Sequence, residues 1–266
     1  MAPIPPCRAL GRQCRELALT VGVADLDADP RHERDALATW LLGHRERLTF
    51  GDPYEAHGAL VVDLRLHVPC KYLRDLDPDD PAEVACHAHG YEGRVPLLRS
   101  RTVPALRTGQ RRFSIVQDGR LQTMDLTAPA PHRRELPVLA GSNPCATAPC
   151  RTADHTRGAA CCRDLILDVV LPLGEDRMEA LLRARKPPYV CKVQRTDEVT
   201  VECEVISACD YLENDGIHCG LHGLKRPDGR EAKPEICLEF PDLEDEELAG
   251  HPGCVFLSRR ADAKTH

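Results

Sequence analysis

Large aromatic side chains are scarce in this chain. Phe, Trp and Tyr together make up 4% of its 266 residues, with a single tryptophan, Trp40. Apolar residues reach 42%, enough for a core, but a core with so few large side chains often relies on crosslinks or metals. Excess positive charge is missing too. The net charge is −7 and the pI about 5.9, which argues against a broad nucleic-acid-binding face. No run approaches the roughly 18 apolar residues of a membrane helix. The N-terminus, M-A-P-I-P-P-C-R-A-L-G-R-Q-C, has prolines and charges where a secretory signal needs an apolar stretch. The expectation is a soluble, cytoplasmic protein without nucleic-acid or membrane partners. Enzyme signatures are also absent: there is no phosphate loop, no G-x-G-x-x-G after a strand, no H-E-x-x-H and no G-x-S-x-G.

What the chain has in abundance is cysteine, 14 residues in all. Seven disulfides would suit a secreted protein, but a reducing compartment disfavours them. Cys145, Cys150, Cys161 and Cys162 follow one another closely, and Cys209, Cys219 and Cys237 come after at wider spacing. Adjacent cysteines are poorly placed to bond to each other, because the ring they would close is strained. They are well suited to hold one metal centre, or two neighbouring ones, through thiolates. These seven are the candidate metal ligands. They exceed the four that one tetrahedral zinc uses, so two bridged zinc ions or a four-cysteine iron–sulfur cluster with cysteines to spare both remain open. His155, His218, His222 and His251 could complete a mixed site, although each also reads as an ordinary surface or loop histidine. Glu202, Glu204, Glu213 and Asp215 lie near cluster cysteines in sequence; solvated carboxylates are the commoner reading.

The chain repeats itself. Cys14-Arg-Glu-Leu-Ala-Leu-Thr-Val21 matches Cys162-Arg-Asp-Leu-Ile-Leu-Asp-Val169 at five of eight positions. Each stretch leads to a helix-like segment, 32–42 and 175–185, and then to an alternating strand ending in C-x-Y-L at Cys70 and Cys209. Cys86-H-A-His89-Gly90 and Cys219-G-L-His222-Gly223 follow. The same order in both halves reads as a duplication. The first half keeps Cys7, Cys14, Cys70 and Cys86, either as a degenerate site turned scaffold, the favoured reading, or as a second site with fewer thiolates. The alternating pattern places Cys203 on the inward face of its strand, as a small core residue. Cys191, in the facing strand of a hairpin that turns near Thr196-Asp197, reads as a second buried structural thiol; both could also serve as ligands, but the structural reading is favoured.

The fold expected is α+β: small duplicated cysteine-rich metal-binding units with short strands, hairpins and one or two helices each. Residues 1–126 form the degenerate first unit, 127–142 a proline-rich linker, and 143–266 the cysteine-cluster unit. Asp118-Gly119 is a favourable hairpin turn closing the first unit.

Residues 143–241 resemble the YkgJ-like cysteine-cluster family, described as zinc- or iron-chelating domains. The resemblance rests on the cysteine group ending in Cys161-Cys162, on Cys209-Asp-Tyr211-Leu212, on Cys219, and on Lys233-Pro-Glu-Ile-Cys237-Leu-Glu-Phe240-Pro241. The first cysteines are more widely spaced than in the family, Lys233 stands for arginine and His222 for tyrosine. A similar cluster occurs in flagellin lysine N-methylases. The resemblance implies a zinc or iron centre, with an iron–sulfur cluster as one form of the latter, and a structural, metal-handling or electron-transfer role. The alternative is an iron-dependent enzyme that modifies a protein side chain or a small molecule.

Overall fold

In the computed structural model, residues 13–25, 34–56, 58–95, 97, 112–128, 148–171, 175–239 and 254 are described. Cys7, Cys145 and His251 lie outside them, as does most of the expected linker. The first half contributes β1 (Leu17–Asp25), α1 (Ala36–Gly43), β2 (Leu48–Phe50), β3 (Tyr54–Ala56), β4 (Ala59–Leu66), β5 (Leu73–Asp75), β6 (Glu83–Cys86), β7 (Tyr91–Arg94), β8 (Arg112–Gln117) and β9 (Arg120–Asp125). The second contributes a 3-10 turn at Ala160–Cys162, β10 (Asp164–Val170), α2 (Glu175–Arg183), β11 (Val190–Arg195), β12 (Thr200–Ile206) and α3 (Glu235–Glu239). The chain is α+β, and rich in strand.

Seven strands from both halves form one antiparallel sheet in the order β11-β12-β10-β1-β4-β2, with β3 also pairing β4. Period-two alternation builds it. Leu17, Leu19, Val21 and Val23 of β1 point inward, with Leu60, Val62, Leu64 and Leu66 of β4 beside them. Leu165, Leu167, Val169, Val201, Cys203 and Val205 continue the same buried face. Leu41, Leu42, Leu181 and Leu182 bring both α1 and α2 onto it. Cys203 is fully buried there, as its place in the pattern requires.

The register is symmetric at the centre. Val21 lies opposite Val169, Thr20 opposite Val170 and Gly22 opposite Asp168. Outward from this pair, Leu19 faces Leu64 as Leu167 faces Cys203, and Leu17 faces Leu66 as Leu165 faces Val205. Pairings recur beyond the sheet as well. Cys70 N–H donates to Cys14 O at 2.7 Å, and Cys209 N–H to Cys162 O at 2.9 Å. The ends of the halves cross over: Lys71 N–H donates to Ala184 O just beyond α2 (2.8 Å), and Asp210 N–H to Gly43 O at the end of α1 (2.5 Å).

Two smaller sheets, β5-β6-β7 and β8-β9, stand apart from the large one. The β8-β9 turn forms at Asp118 and Gly119, with φ of 51° and 68°. Two consecutive positive φ values are what a two-residue hairpin turn of right-handed strands demands, hence Asp-Gly. Cys191 departs from expectation. It sits where the β11–β12 register shifts, between Val190 and Lys192; the irregularity interrupts the alternation and leaves Cys191 exposed. Among the described residues no helix is long and apolar enough to cross a membrane.

Candidate metal centre

Pairing of Asp164 with Ile206, at the start of β10 and the end of β12, brings two cysteine segments together. The 3-10 turn carrying Cys161 and Cys162 enters the sheet here, and Ser207 to Leu212 leaves it. Ser207 N–H donates to Arg163 O at 2.7 Å, which carries the ladder one step past the strands, and the Cys209–Cys162 bond follows. The chain then turns, with Leu212 N–H on Cys209 O at 3.0 Å, and returns to set Cys219 opposite Leu212. Cys237 arrives on α3, a short helix that packs against α1. Cys209 and Cys219 lie against the small core of Phe113, Ile115, Tyr211, Leu221 and Leu224.

Five of the seven predicted ligands are therefore neighbours: Cys161, Cys162, Cys209, Cys219 and Cys237. Burial pushes the Cys209 and Cys237 thiols up to about 12. Nearby thiols add to it, Cys237 and Cys219 acting on Cys209, and Cys219 and Cys161 acting on Cys237. The hydrogen bond between the adjacent Cys161 and Cys162 thiols, with burial second, raises Cys161 as well. Lys233 opposes these effects, pulling both Cys161 and Cys237 down. A cation placed there favours thiolate, the form in which cysteine binds metal.

Cys150 stands slightly apart, buried with Ala148 and Ala160 one residue before Cys161. Cys145 lies outside the described residues. His218 is turned to Asp215, whose carboxyl is held down to about 2 by the backbone N–H and ring of His218 and by the Ile217 N–H. His155 and His222 are exposed. Glu202 is paired with Lys192 at 2.7 Å on the sheet surface. Among the described residues, no group of three or more His, Cys, Asp or Glu side chains is arranged to hold a metal ion as the side chains stand.

Gly43 is a participant that sequence reasoning did not find. A Cβ at this position would lie 3.1 Å from Cys209 Sγ and 3.6 Å from the Tyr211 ring. The end of α1, from the other half of the chain, thus forms part of the wall behind Cys209. No local signal marks it, since Gly43 lies 166 positions from the thiol it supports (209 minus 43). Gly43→Val should cost about 2 kcal/mol through overpacking, read from urea unfolding followed by Trp40 fluorescence. An unchanged midpoint would mean that Cys209 and Tyr211 yield freely.

No family model matches the chain, and no curated protein or solved structure matches it significantly.

Proposed function

We propose that this chain is a metal-binding protein that holds zinc, iron or an iron–sulfur cluster on the cysteine cluster of its second half. Convergence of four separate segments, bearing Cys161-Cys162, Cys209, Cys219 and Cys237, on one place beside Lys233 carries this reading. Clustered cysteine thiolates are the usual donors of zinc and iron–sulfur sites. Cys150 and Cys145 are the candidates to complete the set, coming from the loop that leads into the 3-10 turn. A bound zinc would supply a structural crosslink, and an iron–sulfur centre an electron store.

The chain's own residues have definable parts in this scheme. Thiols kept protonated by burial release their protons on binding, and Lys233 offsets part of the negative charge that results. The hydrogen bond from Cys209 N–H to Cys162 O fixes the spacing of two ligand-bearing backbones. Two of the nearby carboxylates are engaged with other side chains, Glu202 with Lys192 and Asp215 with His218. The role proposed is structural, metal-handling or electron-transfer. The resemblance to YkgJ-like cysteine-cluster proteins points the same way. We also read the two halves as products of a tandem duplication, with residues 1–126 and 143–266 as its units; the symmetric β1–β10 register supports this.

Anaerobic purification, with metal content and visible spectrum measured together, tests the proposal. The wild-type protein is expected to carry metal that a Cys161→Ser/Cys162→Ser variant loses. Iron with sulfide and a brown absorbance would identify a cluster, and stoichiometric zinc without colour a structural site. Equal metal content in both proteins would sink the reading.

A further inference from the structure

Six pairs of like residues occupy matching places in the two halves. Cys14 and Cys162 each accept, through their carbonyls, the N–H of a cysteine beyond the next long strand, Cys70 and Cys209. Those cysteines each accept the N–H of a leucine three residues on, Leu73 and Leu212. Leu73 lies opposite Cys86, and Leu212 opposite Cys219. Cys86 and Cys219 then accept the N–H of a histidine three residues on, His89 at 3.2 Å and His222 at 3.1 Å. A glycine with positive φ closes each turn, Gly90 at 61° and Gly223 at 71°.

We infer that the first half holds a metal ion of its own, a zinc-class divalent cation, on Cys14, Cys70, Cys86 and His89. Three sulfurs and one imidazole form a complete tetrahedral set for zinc. The Cys86-x-x-His89 turn is already a two-ligand unit: Cys86 Sγ lies 3.3 Å from His89 Nδ1. A tight turn of this kind, with glycine supplying the left-handed residue, is how short cysteine-x-x-ligand spacings clasp zinc. Cys14 and Cys70 are joined by backbone hydrogen bonding, and the Cys14 and Cys86 thiols both lie near Cys70. All three cysteines are buried, whereas His89 is exposed and marks the side from which an ion would enter. Arg185, fully buried, lies opposite Cys70 in an isolated antiparallel bridge.

The physical need is local. Cys14, Val84 and Val95 are the buried residues of the core beneath the β5-β6-β7 sheet, with Leu73 and Tyr91 partly buried beside them. A core so small gains most from a staple. One ion on these four ligands would tie the lead into β1 and the turn after β4 to strand β6. As the side chains stand, no three of them are arranged to hold an ion, so binding is expected to rotate the Cys14 and Cys70 thiols toward the Cys86–His89 pair. The inference stands apart from the second-half cluster, since either site can exist without the other.

The test uses the full chain, loaded anaerobically with zinc and, separately, with cobalt(II) as a spectroscopic probe. Metal per chain is counted in the presence of a competing chelator for wild type, Cys86→Ser, His89→Ala and Cys161→Ser/Cys162→Ser. Cys86→Ser and His89→Ala are each expected to lose one ion per chain and the associated tetrahedral cobalt bands, whatever the double variant does. His89→Cys should restore the ion with a spectrum shifted toward four sulfurs. Because His89 is exposed, its variants report on binding even where Cys86→Ser fails to fold. Unchanged metal content and cobalt spectrum in His89→Ala, or a wild-type chain that binds no divalent ion, would overturn the inference. Loss confined to Cys161→Ser/Cys162→Ser would overturn it too, while leaving the second-half centre intact.

Discussion

Lowering the pH from about 7 to 4 is expected to remove about 3 kcal/mol of folding stability through one residue, His44. It is fully buried after α1, and burial lowers its pKa from 6.5 to about 4 despite its hydrogen bond to Ser207 O at 2.6 Å. The sign follows from the neutral form being the folded one. Between these two values the unfolded chain binds a proton that the folded chain refuses, so stability falls as the pH falls through the window. A gap from 6.5 to about 4 corresponds to about 3 kcal/mol at 1.36 kcal/mol per unit. Asp215, held near 2, loses its contribution only below the ordinary carboxylate value of 3.8, under this window. Asp168, raised by burial and by Glu202, acts in the opposite sense. Comparison with His44→Gln isolates the histidine, and the variant should show a much flatter profile between pH 4 and 7. The single tryptophan, Trp40, stands edge-on to the His44 ring at 5.0 Å and gives a direct fluorescence readout of unfolding. A wild-type profile as flat as the variant's would refute the assignment.

Arg185 is the counterpart of His44, and its removal should be as costly. Each residue follows the helix of its own half and reaches the carbonyl where the other half's long strand ends: His44 reaches Ser207, and Arg185 reaches Val68 at 3.3 Å. Arg185 also donates to Gln13 O at 2.9 Å and Leu181 O at 3.0 Å. Arg185→Met keeps much of the apolar bulk but removes every one of these donors. Buried carbonyls left without partners cost about 1–3 kcal/mol each, so a total loss of about 3 kcal/mol is expected, as a shift in urea midpoint at constant m-value. Arg185→Lys should recover only part of it, because an ammonium lacks the planar fork that spans several carbonyls. A midpoint within error of wild type for Arg185→Met would show that water replaces the guanidinium at no cost.

The strands were legible where alternation was clean. β4 and β12 follow from alternating apolar residues, and Cys203 falls inward as the pattern requires. The helix-like stretches 32–42 and 175–185 contain α1 (Ala36–Gly43) and α2 (Glu175–Arg183) to within a few residues. Asp118-Gly119 marked the β8-β9 turn because few other residue pairs tolerate two positive φ values. Cys191 was misplaced because its environment depends on a register shift, and alternation assumes none. The five neighbouring thiols were nameable from cysteine spacing, while the supporting Gly43, His44 and Arg185 were not.

By itself the sequence determined which residues alternate, where turns form, and that two stretches of the chain share an order of motifs. These are local properties, set by side-chain period and backbone sterics within a few residues. Only the tertiary structure decided that β1 and β10 lie side by side with Val21 against Val169, and that each half's helix end meets the other half's cysteine turn. Edge pairing and buried hydrogen bonds between residues more than a hundred positions apart depend on which surfaces must be covered together. No local pattern encodes that choice; the closing of one shared core makes it.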